Sequence, residues 1–313
     1  MNRPLTGIVP PMITPMRGRD DLDAAGLERL VEHMLDGGVS GLFVLGTTGE
    51  GPSLSYRLRR ELVERVCRQV RERVPVLVGI TDTAFVEALT LARFAANAGA
   101  QAVVAAPPYY LPGAQPELRE YLHHLVPELP LPLFLYNMPA LTKVPFELDT
   151  VRAAMDDPRV VGLKDSSGDM AYFRDAVALM PQRPDWSLLI GPEERLMEAV
   201  LAGGHGGVCG GANLFPSLFV GLFQACRAGD LARARELHEQ VLQVGDALYR
   251  IGRHPSAFIK GIKCALSCLG VCDDFMAEPF HRFRADERAL VAQRLEPLRA
   301  DITALRLHRR QGA

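Results

Sequence analysis

Short apolar runs alternate with amphipathic stretches along the first two thirds of this 313-residue chain. The runs are almost continuously apolar, which is typical of parallel strands that are buried on both faces. The stretches between them carry apolar residues at helical spacing, such as Leu27, Leu30, Val31 and Met34. The predicted strands span residues 7–13, 41–45, 76–80, 102–105, 133–136, 160–164, 187–190 and 207–209, and the predicted helices between them span residues 23–35, 53–73, 85–97, 115–126, 146–155, 170–179 and 193–201. Eight strands that alternate with helices predict a TIM (β/α)8 barrel of the α/β class.

An open doubly wound sheet is the alternative fold for such an alternation. Its dinucleotide-binding fingerprint, G-x-G-x-x-G after the first strand, is missing, because residues 7–12 are Gly-Ile-Val-Pro-Pro-Met. The strand pattern stops after residue 213, and helical patterns follow at residues 215–227, 231–249, 256–269 and 286–306. We therefore predict a catalytic barrel over residues 1–228 and a C-terminal extension of three helices over residues 229–313. No Gly/Ser-rich linker precedes the extension, so we expect it to pack on the barrel.

Composition excludes several classes of function. A formal net charge of -2 leaves no basic surface for nucleic acid and no polybasic membrane patch. No apolar run reaches the roughly 18 residues that are needed to span a bilayer. The six cysteines contain no CxxC pair, and His123 and His124 lack metal-site spacing, so we expect neither a metal nor a cofactor. The chain opens without an apolar signal segment, which favours a cytoplasmic protein with reduced thiols.

The apolar run at residues 160–163 ends in Lys164, and polar residues follow at once. A lysine at the end of a buried strand costs free energy unless it has a partner or a use. Burial disfavours the charged form of an amine, and a neutral amine attacks carbonyl carbon to form a Schiff base. The alternative is a strand-end lysine that has simply reached water. On this stretch alone, both interpretations stay open.

In a barrel the active site lies at the C-terminal ends of the strands. Residues 46–51, which follow the second strand, are Gly-Thr-Thr-Gly-Glu-Gly. Glycine lets backbone amides approach a ligand, the hydroxyls of Thr47 and Thr48 can donate hydrogen bonds, and a helix N-terminus favours an anion. The loop therefore suits a carboxylate or a phosphate, although a turn with hydroxyl caps would use the same residues.

Other strand ends also carry polar or aromatic groups. Residues 107–110 are Pro-Pro-Tyr-Tyr and residues 136–139 are Tyr-Asn-Met-Pro. A tyrosine there can move protons to and from a substrate oxygen, or it can be an aromatic residue of the barrel rim. Glu193 and Glu194 follow the seventh strand and can bind sugar hydroxyls or act as first-turn helix charges. The eighth strand is rich in glycine, so its backbone can approach a ligand closely, and we assign the preceding His205 a structural role.

These motifs occur in a fixed order along the chain: GTTGE after strand two, PPYY after strand four, YNxP after strand five and GLKD at strand six. In this order and spacing they resemble the dihydrodipicolinate synthase and N-acetylneuraminate lyase superfamily. Members of that superfamily are class I pyruvate-dependent aldolases on a TIM barrel. The resemblance covers residues 5–300, including the helical tail.

The resemblance implies a role for each motif. Lys164 would form the Schiff base with the ketone of pyruvate or another 2-oxo acid, and Tyr136 would be the acid/base group beside it. Thr47 and Thr48 would bind the carboxylate of the 2-oxo acid, and Thr47 would link Tyr136 to Tyr110. In the superfamily the equivalent of Tyr110 reaches in from a neighbouring subunit, which implies a homotetramer built as a dimer of dimers.

Further positions match substrate contacts of the superfamily. These positions are Val208, through its backbone, and Ser166, Gly191, Glu193, Glu194 and Gly210. Dihydrodipicolinate synthases carry an arginine five residues after the tyrosine of YNxP, where this chain has Leu141. The resemblance is therefore stronger to the lyase branch and to 2-keto-3-deoxy sugar acid aldolases. Gly210 replaces a serine of the sialic acid lyases, which argues against sialic acid as the substrate.

We therefore predict a lyase that cleaves or forms a 2-oxo-3-deoxy sugar acid, or a related 4-hydroxy-2-oxo acid, through a Schiff base. Pyruvate would be one product and an aldehyde the other. A Schiff base activates the neighbouring carbon for bond cleavage or for water loss, so a dehydratase on similar substrates is an alternative. Dihydrodipicolinate synthase activity with other contacts to the second substrate is another alternative, and a non-catalytic 2-oxo acid sensor is a third.

Overall fold

The computed structural model describes residues 4–311, with the side chains of residues 4–298. The strands are β1 (Gly7–Ile8), β2 (Met16–Gly18), β3 (Asp21–Leu22), β4 (Leu42–Val44), β5 (Val76–Gly79), β6 (Ala102–Ala105), β7 (Leu133–Asn137), β8 (Val160–Asp165), β9 (Ser187–Ile190) and β10 (Gly206–Gly207). The helices are α1 (Ala24–Asp36), α2 (Tyr56–Val70), α3 (Phe85–Ala98), α4 (Gln115–Glu128), α5 (Pro139–Thr142), α6 (Leu148–Met155), α7 (Met170–Leu179), α8 (Leu196–Leu201), α9 (Pro216–Ala228), α10 (Leu231–Leu248), α11 (Ala257–Cys268) and α12 (Ala285–Gln311).

Eight of the strands form one parallel sheet in the order β1-β10-β9-β8-β7-β6-β5-β4. Its two ends meet, because residues just beyond β1 pair with β4. Pro11 bridges Phe43 in parallel, and the Phe43 N–H donates to the carbonyl of Pro10 at 3.0 Å. The sheet therefore curls into a TIM barrel surrounded by helices, and the predicted fold class is confirmed.

Successive side chains of each strand point to opposite faces of the sheet, so the core has one part inside the barrel and another between the barrel and its helices. Phe134 and Leu77 point into the barrel with Val104, whereas Leu133 and Leu135 point outward to the helices. Because both faces of every strand are covered, the strands are apolar at nearly every position. The inner cluster also contains Tyr136 and Val208, so the site described below lies at one end of the barrel interior.

Two of the predicted strands are wrong in extent. The first regular strand ends at Ile8 rather than at residue 13, because Pro10 and Pro11 have no N–H for a ladder. The last strand covers Gly206–Gly207 rather than residues 207–209, because the chain turns into a 3₁₀ helix at Gly210–Asn213.

Several local elements also differ from the prediction. The hairpin of β2 and β3 and the short α5 were missed, and α2 begins at Tyr56 rather than at residue 53. A 3₁₀ turn occupies Gly51–Ser53, and the hydroxyl of Ser55 caps α2 by accepting from the N–H of Leu58 at 3.1 Å. Residue 193 lies in a 3₁₀ turn, and α8 starts only at Leu196.

Of the helices that follow α9, α10 packs onto it, and α10, α11 and α12 pack onto one another. A buried ion pair is among the polar contacts that join them to the barrel: the Lys263 ammonium of α11 lies 2.5 Å from a carboxylate oxygen of Glu50, which belongs to the loop after β4. Both side chains are buried, and the other Glu50 oxygen accepts the Ala277 N–H at 2.8 Å. No helix in the described part of the chain is long and apolar enough to span a bilayer.

Candidate active site

Lys164 lies near the carboxyl end of β8, where it is only 5% exposed. Parallel pairing of β7 and β8 places Tyr136 beside it in register. The Lys164 Nζ lies 3.9 Å from the centroid of the Tyr136 ring and 5.0 Å from that of Phe43. The amine therefore rests against two aromatic faces inside the barrel, which disfavours the alternative of a strand-end lysine that has reached water.

Tyr136 has the surroundings of a group that exchanges protons. Its hydroxyl lies 3.2 Å from the Thr47 Oγ1. Burial alone would raise the pKa of Tyr136, but the charge of Lys164 and hydrogen bonding from Thr47, Lys164 and Ser166 lower the pKa below the ordinary value of a tyrosine. A buried phenol with a lowered pKa can donate a proton and later take it back.

The loop after β4 is sharply bent, and this bend presents Thr47 to the site. Leu45 and Glu50 both adopt left-handed backbone conformations, with φ of 60° and 56°. Such conformations cost about 1–3 kcal/mol each unless surrounding contacts hold them. Here the Thr14 hydroxyl donates to the carbonyl of Gly49 at 2.7 Å, and Glu50 is fixed by Lys263. Thr48 is buried within the loop.

A cavity of about 160 Å³ opens beside Tyr136 and Thr47. Five of the residues that line it carry hydroxyl groups, Thr47, Thr81, Tyr109, Tyr136 and Thr142, and the other lining residues are apolar or glycine. None of the described residues that line this cavity carries a positive charge. The cavity thus offers hydroxyl groups, and no cationic partner, to whatever enters it.

Sequence reasoning missed Thr81, which lines the cavity and directly follows a predicted strand, and it singled out the tyrosines of residues 107–110 without assigning Tyr109 to the site. Asn137 and Asp165 were given no role, although each directly follows a candidate catalytic residue. The Asn137 amide donates to the Asp165 carboxylate at 2.9 Å, and so holds the ends of β7 and β8 together. Burial raises the pKa of the Asp165 carboxyl.

Tyr110 is not brought to the other predicted residues within the chain. It is 87% exposed and has a φ of 82°, an unusual backbone conformation for a residue other than glycine. Its neighbour Tyr109, not Tyr110, lines the cavity. Of the predicted link from Tyr136 through Thr47 to Tyr110, the described chain contains the contact between Tyr136 and Thr47 and not the one between Thr47 and Tyr110.

The predicted substrate contacts lie in different environments. Val208 is buried in the barrel interior, where its N–H donates to the carbonyl of Ile190 at 2.7 Å. Ser166 follows β8, and a Cβ at Gly191 would overlap the Ser166 Oγ. A side chain at position 191 would therefore have to displace the Ser166 hydroxyl. A Cβ at Gly210 would overlap the ring of Phe258, so the position of the lyases' serine is covered here by an aromatic residue of α11.

The two candidate carboxylates differ sharply. Glu194 is exposed, whereas Glu193 is buried and its Oε2 accepts the Gly211 N–H at 2.7 Å. The Oε1 of Glu193 and the hydroxyl of Tyr249 are both buried beside Gly211, and the carboxyl and the phenol influence each other's pKa. Burial raises the pKa of Glu193 to about 7. A carboxyl with this pKa changes its charge near neutral pH.

Buried lysine and tyrosine side chains at the carboxyl ends of adjacent barrel strands define a site for carbonyl chemistry. The model of the Dihydrodipicolinate synthetase family matches residues 4–298. The chain is 34% identical over 268 residues to "Probable 2-dehydro-3-deoxy-D-pentonate aldolase YjhH" of Escherichia coli K12, an alignment that covers 85% of this chain and 88% of the relative. It is 32% identical to the 4-hydroxy-tetrahydrodipicolinate synthase of Methanopyrus kandleri, with 94% and 96% of the two chains covered.

Solved structures give the same result. Dihydrodipicolinate synthase of Bacteroides thetaiotaomicron superposes with a TM-score of 0.93 at 52% identity, covering 95% of this chain and 100% of the other. YagE of E. coli K12, solved in complex with pyruvate, superposes with a TM-score of 0.88 at 30% identity, covering 95% and 99%. The chain belongs to the dihydrodipicolinate synthetase family, and it is a lyase of the class I, Schiff-base-forming type.

Proposed function

We propose that Lys164 is the Schiff-base lysine and that pyruvate is one of the molecules released or consumed. The observation that carries this proposal is the placement of the buried Lys164 amine against Tyr136, whose hydroxyl reaches Thr47. A similar fold holds pyruvate in YagE. Thr47 and Thr48 bind the carboxylate of the 2-oxo acid, and Val208 borders the reacting carbon.

The reaction starts with attack of the neutral Lys164 amine on the ketone carbon, which forms an iminium and releases water. The iminium withdraws electrons from the adjacent carbon. When the C3–C4 bond breaks, its electron pair moves into the enamine, and the C4 hydroxyl proton passes to a base as the aldehyde forms. Tyr136 is that base, and it then supplies a proton to the enamine carbon. Hydrolysis of the resulting pyruvate iminium restores the amine. The hydroxyl groups of Thr47 and Thr48 hold the carboxylate, so the bound substrate is already oriented and loses little further entropy when it reaches the transition state.

The substrate we propose is a 2-oxo-3-deoxy sugar acid. The cavity beside Tyr136 carries hydroxyl groups, which suit the hydroxyls of such an acid. YjhH and YagE, two relatives of the chain, are named as aldolases for 2-dehydro-3-deoxy sugar acids. We propose Ser166, Gly191, Glu193, Glu194 and Gly210 as further substrate contacts.

Dihydrodipicolinate synthase activity is the second candidate, because the structure at 52% identity bears that name. That reaction needs a partner for a second carboxylate. The position expected to supply an arginine is Leu141, which lines the cavity. The lack of a cation among the described lining residues favours the sugar acid over this alternative.

We also propose the assembly and the location. The exposed Tyr110 and its exposed neighbour Leu111 suit a contact with a second copy of the chain, in a homotetramer of two dimers whose Tyr110 side chains complete the sites. All six cysteines are free thiols, which fits a cytoplasmic protein. The division into a barrel over residues 1–228 and an extension over residues 229–313 is part of the same proposal.

The decisive experiment is borohydride trapping with pyruvate, followed by mass spectrometry of the intact protein and its peptides. Reduction of the iminium should add one pyruvate-derived group on Lys164. The Lys164→Ala variant should form no adduct and show no turnover, while Lys143→Ala, which removes an exposed lysine, should be modified like the wild type. An adduct on another lysine, or none, would contradict the proposed role.

Product analysis separates the candidate reactions. We expect pyruvate release from 2-oxo-3-deoxy pentonate or gluconate, measured with lactate dehydrogenase. Loss of water without pyruvate release would instead identify a dehydratase. Condensation of pyruvate with aspartate semialdehyde at a higher kcat/KM than sugar-acid cleavage would identify a dihydrodipicolinate synthase. Binding of 2-oxo acids without any turnover would identify a sensor.

A further inference from the structure

A second cavity, of about 330 Å³, lies in the C-terminal extension. Its walls are the loop between α10 and α11, the first turns of α11, and the segment at residues 281–287 where α12 begins. Among the described residues, none lines both this cavity and the one beside Tyr136. The proposed reaction uses no part of it.

The wall of this cavity contains a buried lysine without a counter-ion. Lys260 is only 7% exposed, yet within residues 4–298 its Nζ has no ion pair and no hydrogen bond. Its nearest aromatic neighbour is the ring of Phe283, with the Nζ 6.0 Å from the centroid. The carbon stem of Lys260 is therefore buried, while its ammonium opens into the cavity and can meet an anion there. Lys263, one turn further along the same helix, is instead paired with Glu50.

Further positive charge surrounds Lys260. Arg253 and Arg284 line the cavity, are exposed, and form no ion pair within the described side chains. The imidazoles of His254 and His281 also line it. These four side chains come from two separate segments, on either side of the Lys260 amine in the sequence. Because these cationic and protonatable side chains line a single cavity, the cavity has the charge of an anion-binding site.

The first turn of α11 adds positive potential. Ser256, the N-cap residue, and Ala257 both line the cavity. The Ala257 N–H already donates to the His254 carbonyl at 2.8 Å, so the helix N-terminus contributes here through its partial positive charge, which favours an anion.

Two acidic residues also border the cavity, Asp286 and Glu287 in the first turn of α12. The Glu287 carboxylate accepts the backbone N–H of Arg284 at 3.0 Å, so it serves as a cap for α12. The three cations of Lys260, Arg253 and Arg284 exceed these two carboxylates by one charge before either histidine is protonated. The balance of charge therefore remains positive.

We infer that this cavity is a binding site for a phosphate group, supplied either by inorganic phosphate or by a small phosphorylated metabolite. The Lys260 ammonium is the central contact, because its side chain is largely buried in the cavity wall and its Nζ has no other partner among the described residues. Arg253 and Arg284 contact the phosphate oxygens from the rim, and the positive end of α11 favours the negative charge. This site is separate from the Schiff-base site and does not depend on the proposed reaction.

The test is isothermal titration calorimetry on the full chain in a low-salt zwitterionic buffer, with inorganic phosphate and 6-phosphogluconate as separate probes. We expect saturable binding to the wild type. Lys260→Met keeps the length and apolar packing of the side chain and should raise Kd at least tenfold. Arg253→Gln on the rim should raise Kd several-fold, whereas Arg119→Gln, an exposed arginine of α4, should leave Kd unchanged. Lys164→Ala should also bind the probe normally.

The outcomes are distinct. Equal affinity for the two probes identifies the free ion as the ligand, and tighter binding of 6-phosphogluconate identifies a phosphorylated metabolite; both support the site. Lack of saturable binding of either probe to the wild type overturns the inference. So does an unchanged Kd in Lys260→Met, or a loss of binding in Lys164→Ala that would locate the phosphate at the Schiff-base site. If Lys260→Met does not fold, an unchanged Kd in Arg253→Gln rejects the site.

Discussion

Replacing Lys263 by methionine should destabilise the chain far more than the loss of an exposed ion pair would. Lys263 and Glu50 are buried, with side-chain exposures of 0% and 2%, and their charged atoms are 2.5 Å apart. Lys263 also donates to the carbonyl of Phe275 at 2.6 Å. The pair therefore joins the bent loop after β4 to the C-terminal extension.

The expected magnitude follows from the burial. Lys263→Met removes the cation and leaves the Glu50 carboxylate buried with the Ala277 N–H still donating to it. Breaking a buried pair in this way costs about 3–5 kcal/mol in the free energy of unfolding. In the double variant Glu50→Gln/Lys263→Met neither charge remains, and an amide oxygen can still accept the Ala277 N–H. The double variant should therefore be more stable than the sum of the two single effects predicts, by about 1–3 kcal/mol of coupling.

Denaturant unfolding at fixed protein concentration can measure these values. Trp186 is the single tryptophan and is fully buried, so its fluorescence reports unfolding of the barrel. Arg68→Met is the matched control, because Arg68 and its partner Glu64 are both exposed and share a single contact at 3.2 Å, and such pairs contribute about 0–1 kcal/mol. The reasoning is refuted if Lys263→Met costs no more than the control. It is also refuted if Lys263→Met costs the same in the wild type as in the Glu50→Gln background.

Three further predictions concern the site. Tyr136→Phe should lower kcat by about 10²–10⁴-fold, because the proton carrier is lost, while borohydride trapping on Lys164 still yields an adduct; an unchanged kcat would remove Tyr136 from the reaction. Gly191→Ala should displace the Ser166 hydroxyl and raise the KM for the sugar acid with little effect on pyruvate trapping, and equal steady-state constants for variant and wild type would contradict this packing argument. The pKa of Glu193 is about 7 in the folded chain, against 4.5 for an ordinary glutamate. The stabilisation that protonated Glu193 contributes is therefore complete below pH 4.5 and is lost as the pH rises to 7, a loss on the order of 3 kcal/mol in the free energy of unfolding. Glu193→Gln should remove this decrease from the pH dependence of the free energy of unfolding, which unfolding curves across this pH range can test.

Local patterns in the sequence predicted most of the barrel. The apolar run that ends in Lys164 is a strand, and α7 spans residues 170–179 as the pattern indicated. These elements could be predicted because burial on both strand faces and helical periodicity act over a few residues. The short hairpin of β2 and β3 was missed, since a strand of two or three residues has too few positions to show a period.

The order of motifs in the sequence was enough to propose Lys164, Tyr136 and Thr47 as one site, because Lys164 and Tyr136 lie at, and Thr47 just after, the carboxyl ends of strands that meet in a barrel. Only the tertiary structure determines which other residues line the cavity and support the loop that carries Thr47. It placed Tyr109 rather than Tyr110 at the cavity of one subunit, and it paired Glu50 with Lys263 across 213 positions of sequence. Contacts of this kind depend on how distant segments pack together, and no short-range spacing of residues encodes that packing.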